Sequence, residues 1–186
     1  DSLVRGIGIG QHPLGFASDY FDGAVYEPRV SLGVVAVNDF LLEDAEPPSG
    51  TGDVLLYSFA NNTPLPTVPD SSSAGNDATA GGAASLSTDT PNSAPASAGN
   101  RSLDTSGAGA VTDNALLLEN EDIAAAGGFL MECWFQWGGG GDVNSIIDYA
   151  GTERIIIDTA NATAGQVELE MSGVRYPLGV TAAGDW

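Results

Sequence analysis

FLMECWFQW, Phe129 to Trp137, is the stretch that decides how this chain folds. Alternate residues divide it in two, with Met131, Cys133 and Phe135 on one side and Glu132, Trp134 and Gln136 on the other. A β-strand imposes that two-residue period, because successive side chains point to opposite faces. The apolar set marks a face turned to a core, and a cysteine within it reads as a buried structural thiol. Cys133 is the only cysteine, so the sequence holds no internal disulfide. The only histidine, His12, has no serine or cysteine in a nucleophile setting and supports no hydrolase triad.

Outward from this stretch, short β-rich runs recur between turn residues, and helical periodicity is nearly absent. Candidate strands are Leu3–Ile9, Gly23–Val30, Asp53–Phe59, Ala115–Leu118, Phe129–Trp137, Ser145–Tyr149, Arg154–Asp158 and Gln166–Met171. The 25 glycines and 10 prolines that separate them argue for an all-β sandwich or barrel. VNDFLLED, residues 37–44, fits one helical turn or a short strand. Pro47-Pro48 and the following glycines make residues 46–52 the best linker, dividing the chain into residues 1–45 and 53–186. Val68 to Gly109 has the Ser, Ala, Gly, Thr, Asn and Asp content of a disordered linker, or of ordered loops between short strands.

Charge narrows the function. The net charge is −20, from 25 carboxylates against five arginines, and there is no lysine. Such a surface repels phosphate backbones and anionic bilayers and carries no basic stripe to offset this, which excludes nucleic acid as a partner. It suits divalent cations, neutral glycans and a high-salt or marine setting, where carboxylate repulsion is screened. No apolar run approaches the ~18 residues of a membrane span. The sequence opens on Asp1 without a signal peptide, and is expected to be a processed or excised piece.

From Asp53 onward the residues resemble the laminin-G-like, concanavalin A-like jelly-roll family. DVLLYSF resembles its opening strand, and PDSSSAGNDAT its "DxSGNGNDGT" loop. GGFLMECWFQW resembles its "FTIEAWVKP" strand, SIIDYAG its "ILDKG" turn, and VTAAGDW its approach to the next strand. The family's closing motif, "FDGxIDEVRIY", has its counterpart near the front, at FDGAVYEPRV, Phe21 to Val30. There Glu27 and Arg29 take the acidic and basic places, and Pro28 replaces a valine, which predicts an edge or a bulge. Several readings stand: a segment cut from a tandem array, a fragment, strands donated to a neighbouring subunit, or a front that folds back onto its own chain.

The resemblance implies a jelly roll that is incomplete as a single chain, in an extracellular, cell-surface or virion-surface protein that is not an enzyme. The expected function is a structural or adhesion module of an array or filament, self-associating by strand complementation. The alternative is a calcium-supported, carbohydrate-binding lectin-like module. For the calcium ion the family points to the loop of Asp70 and Asp77, with Glu27 from the closing strand. Glycan contact would fall to Trp134, Trp137, Tyr149 and Tyr176. Asn61, Asn100 and Asn161 sit in glycosylation sequons. Glu168 and Glu170 share a strand face, as the paired carboxylates of some glucanases of this fold do, but read better as a solvated face. Gly6, Gly8 and Gly10 form no phosphate loop, because Pro13 follows and no helix opens.

Overall fold

The alternation at Phe129–Trp137 becomes one strand of a two-sheet β-sandwich. The computed structural model describes residues 6–11, 20–33, 53–59, 63–72, 74–91, 99–107, 109–113, 127–139, 143–149, 153–158, 165–181 and 183–186. Thirteen strands lie among them, and no helix. In chain order they are β1 (Ile7–Ile9), β2 (Gly23–Leu32), β3 (Asp53–Leu56), β4 (Thr67–Val68), β5 (Ala78–Gly81), β6 (Ser85–Ser87) and β7 (Ser102–Asp104). There follow β8 (Ala110–Asp113), β9 (Phe129–Trp137), β10 (Val143–Tyr149), β11 (Glu153–Asp158), β12 (Gln166–Met171) and β13 (Val174–Val180).

One sheet has eight strands in the order β13-β12-β11-β10-β1-β8-β5-β4. In the other, β2 is central: β9 pairs along one edge, while β7 and then β3 share the opposite edge, with β6 beyond β7. All these pairings are antiparallel. A single apolar cluster joins the sheets, with Ile7, Ile9, Val68, Val111, Ile147 and Tyr149 from the first and Val25, Val30 and Leu103 from the second. Met131, Cys133 and Phe135 pack against it, which is the face their alternation assigned them.

The front of the chain belongs to this core. Ile7 pairs with both Tyr149 and Asp113, so β1 lies between β10 and β8 in the larger sheet. FDGAVYEPRV, most of which lies in β2, pairs with β3, β7 and β9 of its own chain. Pro28 sits at a bulge, as its missing N–H requires, but in a central strand: the register with β9 shifts between Tyr26 and Arg29. Glu27 takes the left-handed turn there, with φ of 47°. The Pro28 carbonyl accepts the Tyr57 N–H at 3.2 Å.

The expected linker 46–52, the run 37–44, the candidate strand Ala115–Leu118 and His12 all lie outside the described residues. The Ser/Ala/Gly-rich stretch holds β4 to β7, two to four residues each, too short and too polar to announce themselves by alternation. β13 was also not expected, because Pro177 and Gly179 interrupt its pattern. Among the described residues no helix is long and apolar enough to cross a membrane.

Register places a continuous polar row on the face of the larger sheet opposite the core. Thr67, Thr79, Thr112, Gly8, Asp148, Arg154, Glu170 and Arg175 stand in direct succession from β4 to β13. The row is exposed at its threonine end and buried at Gly8 and Asp148.

Candidate functional site

Two features stand out at the β10–β13 end of the larger sheet, one on each face. On the polar face, four carboxylates meet two arginines. Arg154 Nη2 donates to Glu170 Oε1 at 3.0 Å and lies 3.1 Å from Oε2. Arg175 Nε donates to Glu170 Oε2 at 2.9 Å, and its Nη1 pairs with Asp158 and lies 3.6 Å from Glu168 Oε2. Gln166 Nε2 donates to Glu168 Oε1 at 3.0 Å, and Ser145 Oγ donates to Asp148 Oδ2 at 3.2 Å. Burial works against the Arg175 charge, but the hydrogen bond with Glu170 and the charges of Glu170, Asp158 and Glu168 outweigh it and raise the pKa.

Glu168 and Glu170 are only 6% and 8% exposed, which corrects the solvated-face expectation. Burying carboxylates is costly unless cations accompany them, and Arg154 and Arg175 arrive on the adjacent strands at the matching register. The cross-strand pairing was hidden in sequence, although the two-residue period already put Glu168 with Glu170 on one face of β12 and Arg154 with Asp158 on one face of β11. The result is a set of paired ions.

On the opposite face, a cleft of about 340 Å³ opens between β9 and the β12–β13 ribbon. Cys133, Trp134 and Phe135 line one side, and Val167, Leu178, Val180 and Trp186 the other. β9 pairs with β2 alone among the described strands. At its end the Trp137 carbonyl accepts the Gly184 N–H at 2.7 Å, so backbone already bonds β9 on the edge facing the cleft. Beyond the cleft the smaller sheet stops short. Met171, Val174 and Tyr176 share the core-side face with Leu169 and Ile155, yet are 43%, 53% and 49% exposed. The register shifts between Val167 and Glu168, and beyond it the exposed Leu178 and Val180 line the cleft, with Val180 opposite Gln166.

The residues expected from sequence disperse. Trp137 and Tyr149 are buried in the core cluster and offer no face to a glycan, because the two sheets claim their rings. Trp134 lines the cleft and Tyr176 is exposed on the ribbon. Asp70 and Asp77 serve their own loop: Asp70 accepts the N–H groups of Ser72 and Asn76 at 2.9 and 2.8 Å and the Ser72 hydroxyl at 2.6 Å. Asp77 Oδ1 accepts the Asp70 N–H at 2.9 Å. Glu27, Asp70 and Asp77 do not come together as a metal-holding group, and no such group exists among the described residues. Asp70 and Asp77 are engaged instead in the hydrogen bonds of their own turn. Asn61 and Asn161 lie outside the described residues; the Asn100 carbonyl accepts a hydrogen bond from Arg101 Nη1 at 2.6 Å.

The sequence reading missed a buried ion pair. Arg29, 1% exposed, pairs with Glu132, its register partner on β9. The polar side of FLMECWFQW was the available signal: a glutamate within a half-buried strand calls for a cation opposite. Compared with known proteins, the chain matches no family model, no curated protein and no solved structure.

Proposed function

We propose that this chain is a non-enzymatic structural or adhesion module whose jelly-roll sandwich is completed by strands from another segment or subunit, in an extracellular array or filament. The observation that supports this is the β12–β13 ribbon, whose core-side residues lie exposed beside a β9 that, among the described strands, pairs with β2 alone. Natural sheets do not leave an apolar inner face and a long edge open together. An added strand along β9 would satisfy the edge and lay its apolar side chains against Tyr176 and Leu178. The paired state of the carboxylates on the other face argues against a glycosidase, which needs one free acid and one free base or nucleophile.

The test is negative-stain imaging and hydrogen exchange on the assembled protein. Multimers or filaments in which the outward amides of β9 exchange slowly are expected; an assembly with those amides still fast would sink strand completion. A lectin-like role is the second reading, favoured by Trp134 and Trp186 in one cleft. A monomer that binds an oligosaccharide array, and loses binding in Trp134→Ala, would establish it instead.

A further inference from the structure

We infer that residues 183–186 form an autoinhibitory strap, which holds the Trp137 end of the β9 edge closed and must release before a strand is added along it. This rests on the strand completion proposed above and names what controls it.

The course of the strap follows from its hydrogen bonds. The Thr181 N–H donates to the Gly165 carbonyl at 3.0 Å, which still belongs to the β12–β13 ribbon. Gly184, at φ of 86°, then turns the chain toward the smaller sheet, a conformation that glycine adopts at no steric cost. Its N–H donates to the Trp137 carbonyl at 2.7 Å, and its own carbonyl accepts from Gln136 Nε2 at 3.0 Å. Trp186 lines the cleft with Cys133 and Phe135, and its Nε1 donates to Asp89 Oδ1 at 3.1 Å, just past β6. The strap thus leads from the larger sheet across the end of β9 to the segment that follows β6.

This path lies where an added strand has to bond. The Gly138 N–H donates to the Asp22 carbonyl at 2.7 Å, so the alternate residues Trp137, Phe135 and Cys133 turn their backbone groups away from β2. Gly184 takes the first of these outward carbonyls, and Trp186 shares the cleft with the other two residues. A strand that pairs along the whole edge therefore has to displace both. The strap is held lightly: the Gln136 and Trp186 hydrogen bonds are exposed to water, where each gives little net stability. Asp89 stays in place when the strap leaves, because Ser87 and Ser102 hold its backbone. A closed strap lowers the apparent affinity for the added strand in proportion to the fraction of chains that have it open.

Light scattering and hydrogen exchange on the 186-residue chain test this, with Asp89→Ala and Gly184→Ala as the variants. Asp89→Ala removes the acceptor of the Trp186 bond. Gly184→Ala strains the turn at its positive φ, although the added Cβ meets no atom within 4 Å. Both should assemble several-fold faster than wild type, with the outward amides of β9 slowed in the product. In assembled wild type the Gly184 amide should exchange faster than in the monomer, while those of Phe135 and Cys133 slow. Slowed β9 amides with an unchanged rate in both variants, or with a Gly184 amide that stays protected, overturn the strap and leave strand completion standing. Assembly of the variants beside a monomeric wild type supports both. No assembly by any of the three sinks strand completion and the strap with it. If a variant loses its far-UV circular dichroism, the Gly184 amide of the wild type decides.

Discussion

At the scale of single residues, three positions in the smaller sheet carry most of the tension. Glu27 holds φ of 47° at the bulge, a region where a Cβ costs about 1–2 kcal/mol. Pro28 made a bulge legible in the sequence; nothing marked the residue before it as left-handed, because glycine is the usual signal and glutamate stands there. Glu27→Gly should leave stability within about 1 kcal/mol of wild type, while Glu27→Val should lose about 1–3 kcal/mol in urea denaturation. Cys133 borders the cleft and is only partly buried as a residue, yet desolvation of its sulfur, with Glu132 adding, pushes the pKa up to about 12. The thiol is therefore protonated at neutral pH, and disulfide reagents should label it slowly until the protein unfolds. The linkage has a definite sign. The unfolded thiol ionises near its ordinary 9.0, before the folded one, so it does not affect the pH dependence of stability below pH 9 and favours unfolding between there and about 12. Wild type should lose stability relative to Cys133→Ala across that window and run parallel to it below; parallel curves throughout would remove desolvation as the cause.

At the scale of elements, alternation was legible and pairing was not. Phe129–Trp137 and Gln166–Met171 were readable to their ends, because QVELEM alternates strictly and FLMECWFQW is apolar at every odd position. The strands missed were those whose side chains are small, such as β5 and β6, or whose pattern is cut by proline, as in β13. Sequence also could not show that Arg154 stands between Asp148 and Glu170, since partners on three strands are matched by turn lengths and bulges. That register makes the network on the polar face interdependent. Arg154→Met should cost about 3 kcal/mol by leaving the 8%-exposed Glu170 without one of its two cations. Adding Glu170→Gln should recover part of the loss, because a neutral amide has less to lose from burial. A double-mutant cycle in urea checks this, and strict additivity would mean that the two side chains do not share a network.

At the scale of the whole molecule, the front segment and the charge dominate. β1 and β2 occupy interior positions in the two sheets, and several of their pairings span more than a hundred residues, as Ile7 with Tyr149 and Gly23 with Trp137 show. Such contacts close late and fold slowly. The division at residues 46–52 was drawn from prolines and glycines, which mark a break in local structure but say nothing about which strands pair across it. Charge was fully legible, and its consequence is thermodynamic. Arg29, Arg154 and Arg175 are each committed to carboxylates, and five arginines cannot neutralise 25 acidic groups. Screening shortens that repulsion to about 8–10 Å at ordinary ionic strength and about 3 Å at 1 M. The buried pairs are shielded from salt, so added salt weakens repulsion more than it weakens attraction. The melting temperature should therefore climb by several degrees from about 0.02 M to about 0.5 M NaCl, most steeply at the low end. Magnesium or calcium matched for ionic strength should do no more than sodium, and EDTA should change nothing, because the Asp70 loop is satisfied by its own backbone. Calorimetry across that series separates the two: a sodium-independent melting point raised by micromolar calcium would mean that a specific site, not screening, governs the acidic surface.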